Sequence, residues 1–172
     1  MSAVQSAMRA VPLLAVLLLA ACGGASPSLS PPAEPVRVLA DGLSIAFDEP
    51  FSVSAATDET EYTRLWQSVD RGPDAPAVDL TSEMVIYLGM AGSSSCPEEF
   101  GRLVVDIDSA FVYGEWQGRP PNVPCTDDLQ PQGVLLAVSR AELPQSEFVL
   151  QLREELICAD CPEHPDRAVV AP

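Results

Sequence analysis

Most apolar positions in this chain recur every second residue. In "LSIAF", which follows an expected turn at Asp41-Gly42, Leu43, Ile45 and Phe47 share one face. "FSVSA" alternates through Phe51, Val53 and Ala55. This is the pattern of a strand with one buried face. "RLVVDID" sets Leu103, Val105 and Ile107 inward and Arg102, Asp106 and Asp108 outward, and "FVLQL" sets Phe148, Leu150 and Leu152 inward. "MVIYL" (Met84 to Leu88) and "VLLAV" (Val134 to Val138) are apolar throughout, as expected of central strands covered on both faces. "AFVYGEW" is expected to pair with "RLVVDID", although its two faces are not distinguished by pattern, and a tail strand is expected at Ala168 to Val170.

Between Thr57 and Pro73 the period lengthens. Tyr62, Leu65, Trp66 and Val69 follow at i, i+3, i+4 and i+7, the single stripe of an amphipathic helix. Thr57 is placed to cap it, Asp58 and Glu59 suit the positive end of its dipole, and Gly72-Pro73 closes it. Trp66 falls where a core anchor belongs. The predicted fold is therefore mainly β: an antiparallel sandwich or bent sheet of about seven strands, with one N-terminal-side helix packed on it.

Neither rhythm governs the N-terminal segment. Val11 to Ala21 is an apolar run behind Arg9. A helix of that length crosses only about half of a ~30 Å hydrocarbon core, so the run predicts the h-region of an export leader and not a membrane span. It ends in Leu19-Ala20-Ala21-Cys22, which resembles the bacterial lipoprotein lipobox at every position of that motif. The resemblance implies a signal peptide over 1–21, cleavage before Cys22, thioether lipidation of Cys22 and acylation of the new N-terminus. Several acyl chains (palmitate-type) would anchor the protein stably where one would be marginal. A plain cleaved secretory signal with a free Cys22 is the other reading, and both export the chain.

Residues 22–35 add a Gly/Ser/Pro linker that cannot build a core and, extended at ~3.1 Å per residue, would hold the rest up to about 40 Å from the membrane. Residues 36–172 are then expected to form one disulfide-stapled, β-rich domain that is monomeric.

Charge narrows the partners. The chain carries 25 acidic residues against 9 basic ones, all arginine, for a formal net charge of −16, and loss of Arg9 with the leader makes it −17. A field of this sign disfavours nucleic acid and anionic lipid headgroups, and favours solubility or a basic partner. The acids are scattered, as on a solvated surface.

An early helix ending in Leu65-Trp66, a Pro-rich gap, Val78-Asp79-Leu80 and then a buried strand with Val85 and Gly89 follow in an order that resembles the C-terminal domain family of the non-catalytic protease-complex subunit PrcB. The resemblance covers roughly Glu61 to Arg153. It departs where a Thr-Gly-Gly-Tyr-like turn belongs, since this chain has Gly92-Ser93-Ser94-Ser95-Cys96-Pro97. With "CTDDLQP", that variant resembles a group of lipoproteins of GC-rich bacteria. What it implies is a non-catalytic binding or regulatory module, with no catalytic residue carried over.

Four cysteines remain beyond Cys22: Cys96, Cys125, Cys158 and Cys161. In an exported domain an even number reads as disulfides, with three pairings open. Cys96–Cys125 with Cys158–Cys161 is the expected one. Cys96 and Cys125 lie in loops that emerge at the same end of the sheet if the strands between them form a hairpin.

"GSSSCP" invites a nucleophile reading, but a serine nucleophile needs a base and an orienting partner. The single histidine, His164, lies in a Pro-rich tail, and no Gly-x-Ser-x-Gly elbow surrounds the serines. Gly92, Ser93, Ser94 and Ser95 are therefore expected to form a pinned turn and a candidate binding loop. "CADCPEH" is the rival site. Cys158, Cys161 and His164, with Asp160 or Glu163 nearby, have spacing for a structural disulfide, a dithiol–disulfide couple or a metal. Asp106 and Asp108 share one strand face and offer a cation contact, with a solvated face as the plainer reading.

The sequence thus points to a lipid-anchored, extracytoplasmic, non-enzymatic module of the cell envelope. It would bind a protein or envelope ligand, meet the membrane through Cys22, and need no cofactor or metal. The alternative is a thiol-disulfide or metal-handling protein using Cys158, Cys161 and His164.

Overall fold

The computed structural model describes residues 34–43, 51–69, 72–118, 122–128, 130–153 and 167–172. Cys22 and its leader, most of the linker, Ile45 and Phe47, and the Cys158–Cys161–His164 segment lie outside the described residues.

Among the described residues, eight strands form two four-stranded sheets, with one short helix after the second strand. The first sheet holds β1 (Val36–Ala40), β6 (Gln130–Ser139), β3 (Glu83–Gly92) and β2 (Ser52–Ala56), in that spatial order. The second holds β4 (Glu99–Asp106), β5 (Phe111–Gln117), β7 (Phe148–Gln151) and β8 (Arg167–Val170). The two continuously apolar segments are the two central strands of the first sheet, paired from Glu83↔Ser139 to Gly92↔Gln130. "RLVVDID" and "AFVYGEW" do form the β4–β5 hairpin.

Among the described residues, the strand pairings are antiparallel except β5 with β7, which is parallel. The cause is the route of the chain. It leaves β5, crosses to the first sheet as β6, and returns to the second sheet already running in the direction of β5.

The layering explains why β3 and β6 have no polar face. On one side Met84, Ile86, Leu88, Val134, Leu136 and Val138 fill the space between the sheets, against Val112, Phe148, Leu150 and Leu152. On the other side Val85, Tyr87 and Leu135 pack beneath α1 (Glu59–Ser68) through Tyr62, Trp66 and Val69. Trp66 is a core anchor, and its indole N–H donates to the carbonyl of Gly72 at 2.8 Å.

Local chemistry corrects several expectations. The helix cap is Asp58, not Thr57: the Asp58 carboxylate accepts the Glu61 N–H at 2.9 Å. The Glu61 side chain in turn reaches back to the Thr57 backbone N–H at 2.8 Å and its hydroxyl at 2.9 Å. This is a capping-box exchange shifted by one residue. The last helical residue is Ser68, so the helix stops before Gly72-Pro73.

Phe51 precedes β2 and is exposed. Ile107, expected inward, is 56% exposed because β4 ends at Asp106 and the chain turns there. The Asp106 carboxylate accepts the backbone N–H groups of Asp108 and Ser109, at 3.1 and 3.2 Å. Asp106 and Asp108 therefore do not share a strand face. β1 is the strand that the alternation did not announce, and Leu43, though fully buried, lies outside the strands.

Arg140 locks the helix side of the first sheet. Its guanidinium donates to the carbonyls of Leu80, Glu83 and Thr57, at 3.3, 3.1 and 2.8 Å. Asp79 organises the turn into β3, with its carboxylate accepting the Thr81 hydroxyl at 2.6 Å and the Ser82 hydroxyl at 2.8 Å. These bonds hold its carboxyl below the usual carboxylate range. Leu65, Trp66, Val78, Leu80 and Val85 thus pack together in the helix-side core, and Asp79 turns the chain into β3.

Candidate functional site

Cys96 precedes β4 and Cys125 follows β5, and the hairpin brings their loops to one end. The two cysteines form a disulfide, with Cα atoms 5.7 Å apart and a sequence separation of 29. A bond of this kind belongs to oxidising compartments.

Each serine of the preceding turn is held by the partner loop. Ser95 Oγ accepts the Thr126 N–H at 2.9 Å and lies 3.1 Å from the Thr126 hydroxyl. Ser93 Oγ lies 2.9 Å from that same hydroxyl, and the Ser94 N–H donates to the Asp128 carboxylate at 3.3 Å. The Thr126 hydroxyl also bonds to Asp128. The turn itself closes through the Cys96 N–H to the Ser93 carbonyl, at 3.3 Å. The Ser94 and then the Thr126 hydrogen bonds lower the Asp128 carboxyl below its ordinary value, which leaves it a weak base at neutral pH. Chemically this is a cross-link reinforced by hydroxyls. Gly92 is tight for a different reason, since a Cβ there would stand 2.8 Å from the Gln132 amide.

The disulfide loop leads directly into a cleft of about 390 Å³ that sequence reasoning did not find. The sandwich has two ends in cross-section. At one, β2 packs against β7 and β8. At the other, edge strands β1 and β4 flank the cleft. Its apolar wall includes Val38, Val134, Phe100 and Trp116. The two aromatic rings meet edge to face with centroids 5.5 Å apart, and the Trp116 N–H is taken by the carbonyl of Leu152 at 3.1 Å.

Among the described residues, Asp41, Glu98 and Glu99 add three carboxylates to the lining and no basic residue does. Glu98 is fixed in two ways. Its backbone N–H donates to Gln132 Oε1 at 3.1 Å, and its carboxylate pairs with Arg153 at 2.8 Å. Glu99 is exposed and stands opposite Gln117 in the β4–β5 ladder. Both flanking strands are irregular here, with register shifts between Val38 and Ala40 and between Phe100 and Arg102. Bulges of this kind redirect side chains and interrupt the edge as a pairing template.

No protein-family model, curated protein or solved structure matches the chain. No helix among the described residues is long and apolar enough to cross a membrane. No group of three or more His, Cys, Asp or Glu side chains among them is arranged to hold a metal ion.

Several of the arginines are occupied within the fold. Arg37 pairs with Glu83 at 3.2 Å, Arg102 with Glu115 at 2.6 Å and Arg153 with Glu98. Arg140 is spent on carbonyls, and Arg167 lies over the Phe111 ring, 5.9 Å from its centroid. The carboxylates outnumber these partners severalfold, so the charge presented outward is acidic.

Proposed function

We propose that this protein is a lipid-anchored, extracytoplasmic binding module, non-catalytic, whose ligand is a protein or another component of the cell envelope. The observation that carries the reading is the cleft between β1 and β4, walled by Phe100 and Trp116 and edged by carboxylates beside the disulfide-pinned turn. A concave, partly aromatic site with a few placed polar groups is the usual form of a binding site. The turn supports a binding role rather than a nucleophile, because its hydroxyls are engaged with one another and with the partner loop. The Cys96–Cys125 bond supports an oxidising compartment, and the Leu19-to-Cys22 motif supports anchoring through lipid. The likeness to the PrcB C-terminal domain family adds a precedent for a non-catalytic partner.

The anchor is tested by Cys22→Ser, which should release the protein from the membrane fraction and remove a lipid mass shift carried by the wild type. Retention equal to wild type, with no lipid on either protein, contradicts it. The binding role is tested against the thiol alternative with Cys158→Ser and Cys161→Ser together. A binding module keeps its ligand and loses at most stability, whereas a redox or metal protein loses thiol reactivity and function first.

A further inference from the structure

We propose that the outer face of the second sheet, at the end where the chain enters the fold, lies against the zwitterionic surface of the lipid bilayer that holds the protein. This deepens the lipid-anchored reading and rests on it.

Strand register builds the face. Phe111, Val149 and Val169 stand side by side across β5, β7 and β8. Their chain neighbours Val112, Phe148, Leu150 and Val170 point into the core between the sheets, so alternation turns this row outward. Phe111 and Val149 are half-buried, and Val169 is 63% exposed. Asp106 stands opposite Phe111 in β4, and the turn that follows it presents Ile107, 56% exposed.

Arginine borders the row. The Arg167 guanidinium lies over the Phe111 ring, 5.9 Å from its centroid, and Arg102 pairs with Glu115 at 2.6 Å. An interfacial site has this arrangement: apolar groups meet the acyl boundary while a guanidinium on its aliphatic stem reaches the phosphates. Arg102 and Arg167 balance Asp106 and Glu115, and Asp108 in the turn adds one further acid. In a chain of net charge −16 this is a nearly neutral face, which suits zwitterionic headgroups better than anionic ones.

The route of the chain selects a lipid surface over another protein. Pro35, directly before β1, accepts the Ser139 N–H at 2.9 Å, so the chain enters the fold at the C-terminal end of β6. From that end the turn at Arg140–Glu142 leads on to Phe148 at the start of β7. Val149 and its partners Phe111 and Val169 therefore lie at this same end along the strand direction. The tether that the Leu19-to-Cys22 motif implies joins the domain at the end that carries the row. The Cys96–Cys125 turn lies toward the opposite end, where Gly92 faces Gln130. Seated on this face, the protein holds its disulfide-pinned turn and the adjoining cleft away from lipid.

The test uses the full lipidated chain in phosphatidylcholine vesicles that hold no other protein, with a diazirine amino acid at Ile107, at Val169 or at Val123. Val123 is 46% exposed and lies two residues before Cys125, at the opposite end. Irradiation should give lipid adducts from Ile107 and Val169, and about tenfold fewer from Val123, read by mass spectrometry. Ile107→Glu, at an exposed turn position, should cut the Val169 adduct about tenfold, as loss of one inserted apolar side chain predicts. Flotation with the vesicles should persist in that variant, because the acyl chains carry it.

Lipid adducts equal at all three positions, or a Val169 adduct unchanged by Ile107→Glu, overturn the proposal, while flotation keeps the anchor. A cross-linked dimer from Val169 in place of lipid makes the row a contact between two copies and also overturns it. A chain that neither floats nor carries lipid on Cys22 removes the anchor, and the proposal falls with it.

Discussion

Gly89 and Gly133 stand opposite each other in the β3–β6 ladder, and the phenol ring of Tyr87 lies across both. Tyr87 is 2% exposed, and burial pushes its hydroxyl well above the ordinary phenol range. A Cβ at Gly133 would stand 2.6 Å from the Tyr87 hydroxyl oxygen, and one at Gly89 would overlap it. The missing side chains are what let the ring lie flat on the sheet beneath the helix-side core. Gly133→Ala should therefore cost about 1–3 kcal/mol, the usual penalty of overpacking. In a Tyr87→Leu background the same change should cost much less, and denaturant unfolding of the four proteins measures the coupling. Equal penalties in both backgrounds contradict the packing described.

The disulfide makes a second expectation quantitative. Closing a loop of about 30 residues is worth roughly 3–4 kcal/mol by chain entropy. Replacing Cys96 and Cys125 together by Ser should lower stability by about that much, and peptide mapping without reductant should recover Cys96 joined to Cys125. A Cys96 peptide joined to Cys158 or Cys161 contradicts the loop geometry.

The serines should behave as structure. A fluorophosphonate probe should leave Ser93, Ser94 and Ser95 unlabelled, since an unassisted hydroxyl is a weak nucleophile. Among the single Ser→Ala changes, Ser95→Ala should cost most, about 0.5–1.5 kcal/mol, because only Ser95 accepts the Thr126 N–H through its side chain. Stoichiometric labelling of one serine, lost on substitution of His164, would reopen the site as a hydrolase.

Asp128 adds a pH signature. Its folded-state carboxyl lies below the ordinary value because Ser94 and then Thr126 hydrogen-bond it. A group depressed by folding adds stability that is present above its unfolded value of about 4 and lost as pH falls through the folded value. Asp128→Asn should therefore lower the melting temperature at pH 7, and the gap from wild type should close as pH falls from about 4 toward 2. A gap constant across that range contradicts the hydrogen-bonded carboxylate.

These features differ in how far the sequence announces them. Met84 to Leu88 and Val134 to Val138 are readable as central strands because burial on two faces removes every polar residue from the pattern. The helix stripe through Tyr62, Trp66 and Val69 is readable for the related reason that one face must meet the sheet. The Cys96–Cys125 pair follows from the hairpin between its members. Ile107 misleads because alternation does not say where a strand stops, and a carboxylate at Asp106 that caps a turn looks the same as one on a strand. The cleft is invisible to local pattern. Its wall draws on β1, β4, β5 and β6, and among the described residues it lies at the end of the sandwich where the edge strands are β1 and β4. Only the pairing order reveals which edges those are.

If the β1–β4 cleft is where this protein meets its partner, a cross-linker placed there should capture that partner. A photo-crosslinking amino acid placed at Val38 in living cells tests it most directly, with the same group at exposed Thr63 on the outer helix face as the comparison. A discrete protein adduct should form from Val38, be weakened by Glu99→Arg, and be absent from Thr63. An adduct from Thr63 with none from Val38 would contradict it and move the binding surface to the helix.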